Sequence, residues 1–172
     1  ELSRSRQRLA QIIEGTNAGT WEWNVETGET VFNERWAAIC GYTLAELGAT
    51  TVGTWTALTH PEDLTRSSVL LERHFNDELP AYECEARMRH KDGRWVWVLD
   101  RGKLFGRSAD GRPRWMSGTR MDITERKLAE AALRESQAVL DRTGRIGGIG
   151  GWSLDLDTMT VNWTDETCRI HD

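Results

Sequence analysis

Two side chains of opposite charge, Asp100 and Arg120, lie in consecutive predicted strands among apolar neighbours. Because side chains alternate across a strand, Asp100 shares a face with Val96 and Val98, and Arg120 shares one with Met116. An unpaired charge on a buried face is costly, so we expect the two to pair. Either Arg120 anchors a carboxylate or phosphate ligand, or Asp100 satisfies it and side chains fill the space. We favour the second interpretation because buried charges are usually paired internally.

The remaining acidic side chains do not form a recognisable catalytic pair. Glu83 and Glu85 alternate with the face that carries Cys84, so we expect them to point to the opposite, wetter side of the strand. The sequence contains no Gly-rich phosphate loop, no GxSxG motif and no HExxH motif. We therefore predict that this chain is not itself an enzyme.

The three cysteines, Cys40, Cys84 and Cys168, are odd in number and widely spaced, and no CxxC pair is present. This pattern indicates neither a disulfide framework nor a zinc site, and we predict no metal centre. We expect reduced, buried thiols of the kind found in cytoplasmic proteins.

Composition argues against two classes of partner. The 172 residues include 22 Lys and Arg and 27 Asp and Glu, which gives a net charge of −5. A sequence-independent nucleic-acid binder needs clustered positive charge. The longest apolar run, Trp95–Leu99, is far shorter than the roughly 20 residues of a membrane helix. We expect a cytoplasmic module, either free or as the cytoplasmic part of a membrane-anchored protein, and the absence of an initial Met indicates an excerpt.

Turn signals divide the middle of the chain into short elements. Thr27-Gly28, Asp92-Gly93 and Asp110-Gly111 are typical hairpin turns. Strands are predicted over 20–26, 30–32, 81–89, 94–105 and 113–122. Short helices are predicted after the cap Asn33 and near 44–47, and a longer helix begins at Pro61. The order of elements predicts an α+β domain with one antiparallel sheet.

Amphipathic helices are predicted on both sides of this body. Leu2 and Leu9 lie seven residues apart in the first, and Ala129, Leu133 and Leu140 follow heptad-like spacing in the second. We therefore divide the chain into a leading helix (1–15), a compact domain (16–124) and a helical connector (125–143).

An internal repeat follows the connector. Residues 19–27 (GTWEWNVET) resemble 150–158 (GGWSLDLDT) at an offset of 150 − 19 = 131, and Phe32 corresponds to Trp163 at the same offset. We predict that 144–172 is the start of a second, truncated copy of the domain.

Several motifs occur together in the order and spacing of one known family. Trp21-Glu22-Trp23-Asn24, Cys40-Gly41-Tyr42, His60-Pro61-Glu62-Asp63 and the run from Arg89 to Gly93 resemble a PAS domain, and residues 118–127 resemble the close of its PAC segment. The resemblance implies a five-stranded antiparallel sheet in the order 2-1-5-4-3, with helices on one face and a pocket between. It also implies a sensory module that couples a small-molecule or redox signal to a histidine kinase, diguanylate cyclase or c-di-GMP phosphodiesterase domain.

The resemblance assigns the two faces of the sheet. The pocket candidates lie on the face toward the helices or on the first helix: Trp36, Ile39, Met88, Val96, Val98, Asp100, Met116 and Arg120. The opposite face carries Trp95, Trp97 and Trp115, an apolar patch that needs cover. We predict that Leu9, Ile12 and Ile13 of the leading helix cover it, from the same chain or from a partner in a homodimer formed through the flanking helices.

No cofactor can be assigned from the sequence. A covalent flavin sensor of the LOV type needs a Cys in the helix before the long helix, and residues 54–59 contain none, so we reject that subtype. Noncovalent FAD stays open because of the many Trp residues. Haem would need an axial His, for which His74 is the weak candidate.

The end of the last strand is the predicted relay. Asp122 and Thr124 can cap the connector helix, so a shift of the strand at Asp122, Ile123 and Thr124 would change how firmly that helix begins. The alternative is a ligand-free dimerisation module in which helices transmit register from a neighbouring domain.

Overall fold

The computed structural model describes residues 4, 7, 8, 11, 13, 15–147, 151–156, 158–163 and 167–169, which form two units divided after Thr124. The strands are β1 (Gly19–Asn24), β2 (Thr30–Phe32), β3 (Tyr82–Arg89), β4 (Trp95–Arg107), β5 (Pro113–Asp122), β6 (Trp152–Asp155) and β7 (Thr160–Trp163). The helices are α1 (Glu34–Ile39), α2 (Leu44–Leu47), α3 (Val52–Leu58), α4 (Pro61–Phe75) and α5 (Thr124–Gly147).

The first unit contains one five-stranded sheet in the order β2-β1-β5-β4-β3, with every pair antiparallel. This is the fold and strand order that the resemblance implies, and the prediction is confirmed. The register places Asp100 opposite Arg120, and Asp100 is also opposite Cys84. Three neighbouring strands therefore bring these residues to one level of the sheet.

Local capping explains where the helices begin. The side chain of Asn33 accepts hydrogen bonds from the backbone N–H of Trp36 and of Thr20, each at 2.9 Å, so it starts α1 and holds it against β1. His60 caps α4 through its ring Nδ1, which accepts from Glu62 N at 3.3 Å, and Pro61 follows at the first helical position. The cap predicted at Asn33 and the helix start predicted at Pro61 are confirmed.

The burial pattern separates the two faces of the sheet as alternation predicts. Cys84, Ala86, Met88, Val96 and Val98 are buried toward the helices. On the opposite face Trp95 and Trp115 remain 40% and 43% exposed.

Positively charged side chains lie against the outer tryptophans. The guanidinium of Arg87 lies 5.5 Å from the centroid of a Trp97 ring, and that of Arg89 lies 5.6 Å from Trp95. Of the three leading-helix residues expected to cover this face, Leu9 and Ile12 lie outside the described residues, and Ile13 is helical and exposed. Cover of this face by the leading helix stays a prediction.

The second unit contains α5 from Glu125 onward and the hairpin β6–β7. The helix extends to Gly147, beyond the predicted end at 143. In the hairpin Trp152 is opposite Trp163, just as Trp21 is opposite Phe32 in the first unit, so the register repeats at the offset of 131. That this hairpin opens a second PAS domain stays a prediction.

Candidate functional site

A cavity of about 60 Å³ lies in the first unit between the β1–β2 side of the sheet and the helices. Its wall is mainly aromatic and aliphatic, from Trp21, Trp23, Phe32, Trp36, Trp55, Tyr82, Val52 and Leu71. Three further residues bring polar groups: Thr30, Asp100 and Arg120. Ligand pockets for drug-sized molecules are usually 300 Å³ or larger, so this cavity suits a much smaller molecule.

Two glycines, Gly102 and Gly118, leave room for the indole of Trp21 against β4 and β5. A Cβ added at Gly102 would come within 2.3 Å of Trp21 Cη2, and one at Gly118 would come within 2.5 Å of Trp21 Cζ2. These glycines face each other across β4 and β5. The floor of the cavity therefore depends on two positions that have no side chain.

Asp100 and Arg120 form a bidentate ion pair beside the cavity. Arg120 Nε donates to Asp100 Oδ1 at 2.8 Å, and Nη2 donates to Oδ2 at 2.6 Å. Asp100 is 3% exposed and Arg120 is 1% exposed. This bidentate contact is the internal pairing that we favoured from the sequence. In it the negative charge of Asp100 and the positive charge of Arg120 neutralise each other.

The guanidinium of Arg120 also ends a stack of flat groups. Its central carbon lies 4.2 Å from the centroid of the Trp36 ring, and Trp36 stacks on Phe32 at 3.7 Å with an interplanar angle of 5°. The stack joins α1, β2 and β5. A change at the cavity that moves Trp36 would therefore also move Arg120.

Four buried polar atoms have no hydrogen-bond partner among the described residues, and all four belong to residues that line the cavity. They are Trp23 Nε1, Thr30 Oγ1, Trp36 Nε1 and Arg120 Nη1. Most buried polar groups in proteins have a partner, so such a cluster needs an explanation. Sequence analysis missed it because no residue pattern reveals which polar atoms will lack a partner.

The other sequence-predicted pocket residues lie in the adjoining core. Trp36, Asp100 and Arg120 line the cavity, whereas Ile39, Met88, Val96, Val98 and Met116 are buried within the hydrophobic cluster. Tyr82 lines the cavity and was not predicted; its hydroxyl lies 2.7 Å from the Ser67 hydroxyl of α4.

Cys40 and Cys84 are buried and free, and Cys168 is free and exposed. Burial raises the pKa of Cys40 to about 11, more than the nearby Arg120 lowers it, so this thiol stays protonated at neutral pH. Cys40 Sγ also lies 4.0 Å from Met88 Sδ in the core. A buried, protonated thiol is a packing group rather than a nucleophile.

His74, the candidate haem ligand, is already bonded to backbone atoms, and the cavity is small for a flavin. His74 is buried, its Nδ1 lies 2.8 Å from Leu79 O, and its Nε2 accepts from Leu104 N at 3.0 Å. Both ring nitrogens therefore bind backbone atoms, and ligation of haem iron would break one of these bonds. Noncovalent FAD, which the sequence left open, is much larger than the cavity.

The end of β5 is joined to β4 where α5 begins. Asp122 Oδ1 accepts from Thr124 N at 2.8 Å, and Ile123 N donates to Trp97 O at 2.9 Å. Trp97 N in turn donates to Thr124 Oγ1 at 3.0 Å. The three predicted relay residues thus lie together at one junction, two to four positions beyond Arg120.

A second ion cluster joins the start of α4 to β3. Asp63 is fully buried, and one of its oxygens accepts from Arg87 N and Arg87 Nε, both at 2.8 Å, while the other accepts from Arg66 at 2.8 Å. Burial raises the pKa of Asp63, but the hydrogen bonds from Arg87 and the charges of both arginines outweigh it and lower the pKa overall.

A family model described as the PAS fold matches residues 29–120. A sensory box histidine kinase/response regulator from Burkholderia thailandensis E264 has a solved structure that is 33% identical, with a TM-score of 0.68, covering 78% of this chain and 98% of that one. The N-terminal domain of a diguanylate cyclase with PAS/PAC sensor from Marinobacter aquaeolei shares the fold, at 22% identity and a TM-score of 0.55, covering 64% of this chain and 98% of that one.

Two curated relatives are much longer than this chain. The Escherichia coli K12 protein named "Probable diguanylate cyclase DgcE" is 28% identical over 138 residues, which is 78% of this chain and 12% of that protein. A methyl sulfide methyltransferase-associated sensor from Methanosarcina acetivorans is 26% identical over 164 residues, which is 94% of this chain and 16% of that protein. The chain thus spans less than a fifth of either relative.

Proposed function

The chain belongs to the PAS family of signal-transduction modules, and we propose that its cavity detects a small molecule and that β5 passes the signal to α5. One observation carries this proposal. Arg120, which lines the cavity, and Asp122, which holds the start of α5, lie two positions apart on the same strand. A displacement of Arg120 therefore reaches the helix start through a single stretch of backbone.

The hydrogen bonds at the junction explain how such a displacement would change the helix. Thr124 contacts both Asp122 on β5 and Trp97 on β4. If β5 shifts relative to β4, the two bonds to Trp97, from Ile123 N and to Thr124 Oγ1, lengthen, whereas the local bond from Thr124 N to Asp122 moves with β5. The first turn of α5 then loses its anchor on β4. The signal is then a change in the stability of the first turn of α5.

The partner that receives the signal is a domain joined in series to this one. The relatives named above include a diguanylate cyclase and a histidine kinase, so the output domain we propose is one of these or a c-di-GMP phosphodiesterase. We further propose a homodimer through the flanking helices.

The three free thiols support a cytoplasmic location. Among the described residues, no helix has the length and apolar character to cross a bilayer.

The alternative function is a dimerisation and relay module that binds no ligand. Its support is the closed Asp100–Arg120 pair together with the small size of the cavity. In that case the flanking helices would transmit a change in helix register from a neighbouring domain, and the sheet would act as a rigid support.

A native mass spectrum of the purified chain, together with its visible absorbance, distinguishes the two functions. The sensing proposal predicts extra mass that disappears on denaturation, or protein that gains mass when small molecules are added. The relay alternative predicts the mass of the bare chain in every condition. That second result, repeated over a panel of small neutral and charged compounds, would contradict sensing.

A further inference from the structure

The surface of the cavity in the first unit is almost wholly apolar. Its polar side chains are engaged elsewhere, because the hydroxyl of Tyr82 bonds to that of Ser67 and the carboxylate of Asp100 bonds to Arg120. The charged pair is closed on itself and almost fully buried. The wall therefore presents rings and aliphatic groups to whatever occupies the cavity.

The four buried polar atoms without a partner do not change this character. They belong to Trp23, Thr30, Trp36 and Arg120, but each atom is almost wholly covered by other protein atoms. An occupant of the cavity therefore does not reach them. These four residues add almost only apolar atoms to the cavity surface.

Such a surface gives water little to bind. A water molecule buried in a protein usually makes about three hydrogen bonds, and cavities with apolar walls stay dry. Because this wall exposes almost no donor or acceptor, a water inside it would lose bonds that it makes in bulk solvent. An apolar occupant has no such bonds to lose and gains dispersion contacts with the surrounding rings.

The volume limits the occupant to a few atoms. An engineered apolar cavity of roughly 150 Å³ holds benzene or xenon. At about 60 Å³ the present cavity is too small for benzene and has room for only a few non-hydrogen atoms.

The walls of the cavity differ in how firmly they are held. A Cβ added at Gly19 would come within 2.9 Å of Trp36 Cα, so α1 packs directly on β1. The helix α3 contributes Val52 and Trp55 to the opposite wall and contains no buried residue. Segments with few buried contacts open at small energetic cost. Because the cavity is also not fully closed, a small molecule can enter by displacement of α3 while the sheet stays folded.

We propose that the cavity binds a compact apolar molecule without hydrogen-bonding groups, of the size of a dissolved gas or a two-carbon hydrocarbon. This inference rests on the proposed sensing function and names the chemical class of its ligand. The occupant contacts Trp36, whose ring lies 4.2 Å from the guanidinium carbon of Arg120. Occupancy therefore acts on the wall residue that leads to β5.

Four probes separate polarity from size. Xenon and ethane are small and apolar, methanol has as many non-hydrogen atoms as ethane but is polar, and benzene is apolar but too large. The measurement is an NMR titration of the chain, with the gases under pressure, that follows the methyl resonances of Val52 and Leu71 on the cavity wall. Xenon and ethane are expected to move these resonances. The methyl resonances of Val69, which is 53% exposed on the same helix as Leu71, should stay unchanged.

Three results would overturn the inference. Methanol that binds as strongly as ethane would show that the wall accepts a polar molecule. Benzene that binds to the parent chain would show that the occupant is not limited to a few atoms. No response of Val52 and Leu71 to xenon or ethane would show that the cavity is a packing space that small apolar molecules do not enter.

A matched pair of variants tests the location and the size limit. Leu71→Ala enlarges the cavity and should allow benzene to bind, because the shortened side chain leaves space beside the wall. Val69→Ala removes methyl groups from the exposed side of α4 and should not allow benzene to bind. If Leu71→Ala does not fold, Val52→Ala enlarges the cavity from α3. A folded, enlarged variant that does not bind benzene, or benzene binding in the Val69→Ala control, would contradict the assigned site.

The amide resonances of Ile123 and Thr124 keep this inference distinct from the proposed function. If xenon and ethane move the cavity methyl resonances but not these amides, the ligand class stands and the relay fails. If the amides respond to methanol and not to xenon or ethane, the relay stands and the ligand class fails.

Discussion

Two ion pairs lie one position apart on β4, on opposite faces of the same sheet. Asp100 and Arg120 pair on the inner face, with their side chains 4% and 1% exposed. Arg101 donates to both carboxylate oxygens of Glu83 on the outer face, at 2.7 and 3.1 Å, with both side chains more than half exposed. The chemistry and the bidentate geometry are the same, and only the solvent differs.

The difference shows that geometry alone does not determine what an ion pair contributes. Around Arg101 and Glu83, water screens the charges and solvates either partner if the other is lost. Around Asp100 and Arg120, neither group can regain water, so loss of one leaves a buried charge without a partner. The inner pair therefore makes the sheet depend on two side chains that also border the cavity.

The largest effect is expected for Asp100→Ala, which leaves the guanidinium of Arg120 buried and unpaired. We expect a loss of about 3–5 kcal/mol in the free energy of unfolding, measured by urea denaturation. Glu83→Ala is the control on the outer face and should scarcely move the denaturation midpoint. Similar losses in the two variants would remove the distinction between the faces.

An intermediate effect is expected at Asp63, which is buried while its partners Arg66 and Arg87 are partly exposed. Asp63→Asn should lower the free energy of unfolding by about 2 kcal/mol at neutral pH, because a buried charged hydrogen-bond acceptor is lost. Equal stability of variant and parent at neutral pH would contradict this.

The lowered pKa of Asp63 also fixes the direction of a pH effect. The folded state favours the ionised carboxylate, so its contribution is fully present above the ordinary pKa of 3.8 and is lost as pH falls through the lower folded-state pKa. Thermal denaturation between neutral pH and acid should therefore show a smaller acid loss in Asp63→Asn than in the parent. An equal or larger acid loss in the variant would contradict the role of Asp63.

Among the three variants expected to lose stability, the smallest loss is expected for Asp122→Ala, which removes only an exposed cap to Thr124 N. We expect a loss of about 1 kcal/mol or less by denaturation. In the full-length protein, however, the response of the output domain to signal should be lost, because the start of α5 is no longer tied to β5. A normal response in this variant, or global unfolding, would contradict the relay.

Much of the fold could be predicted from the sequence because its signals are local. The predicted turn glycines Gly28, Gly93 and Gly111 all have positive φ, between 78° and 94°. Alternation along β4 and β5 sorted the side chains into two sets and, with the cost of buried charge, predicted the pairing of Asp100 with Arg120, whereas the resemblance assigned which set faces the helices. The strand order came from the resemblance to a known family.

The rest depends on distances that no local pattern contains. The stack of Phe32, Trp36 and Arg120 joins three elements that are far apart in the sequence. The cavity volume is the small difference between the volume that the elements enclose and the volume that their side chains fill. The two bonds of His74 join α4 to Leu79 in the segment after it and to Leu104 on β4. These features follow from the three-dimensional packing of the elements and have no signal in the sequence.

The most direct test of the link between cavity and helix is amide hydrogen exchange at Ile123 and Thr124 in Asp100→Asn, compared with Glu83→Gln. We predict that exchange at these two amides rises in Asp100→Asn by more than it rises at core amides such as Val96, and that Glu83→Gln leaves it unchanged. A rise no greater than that of the core amides would show that the inner pair stabilises the sheet without controlling the start of α5.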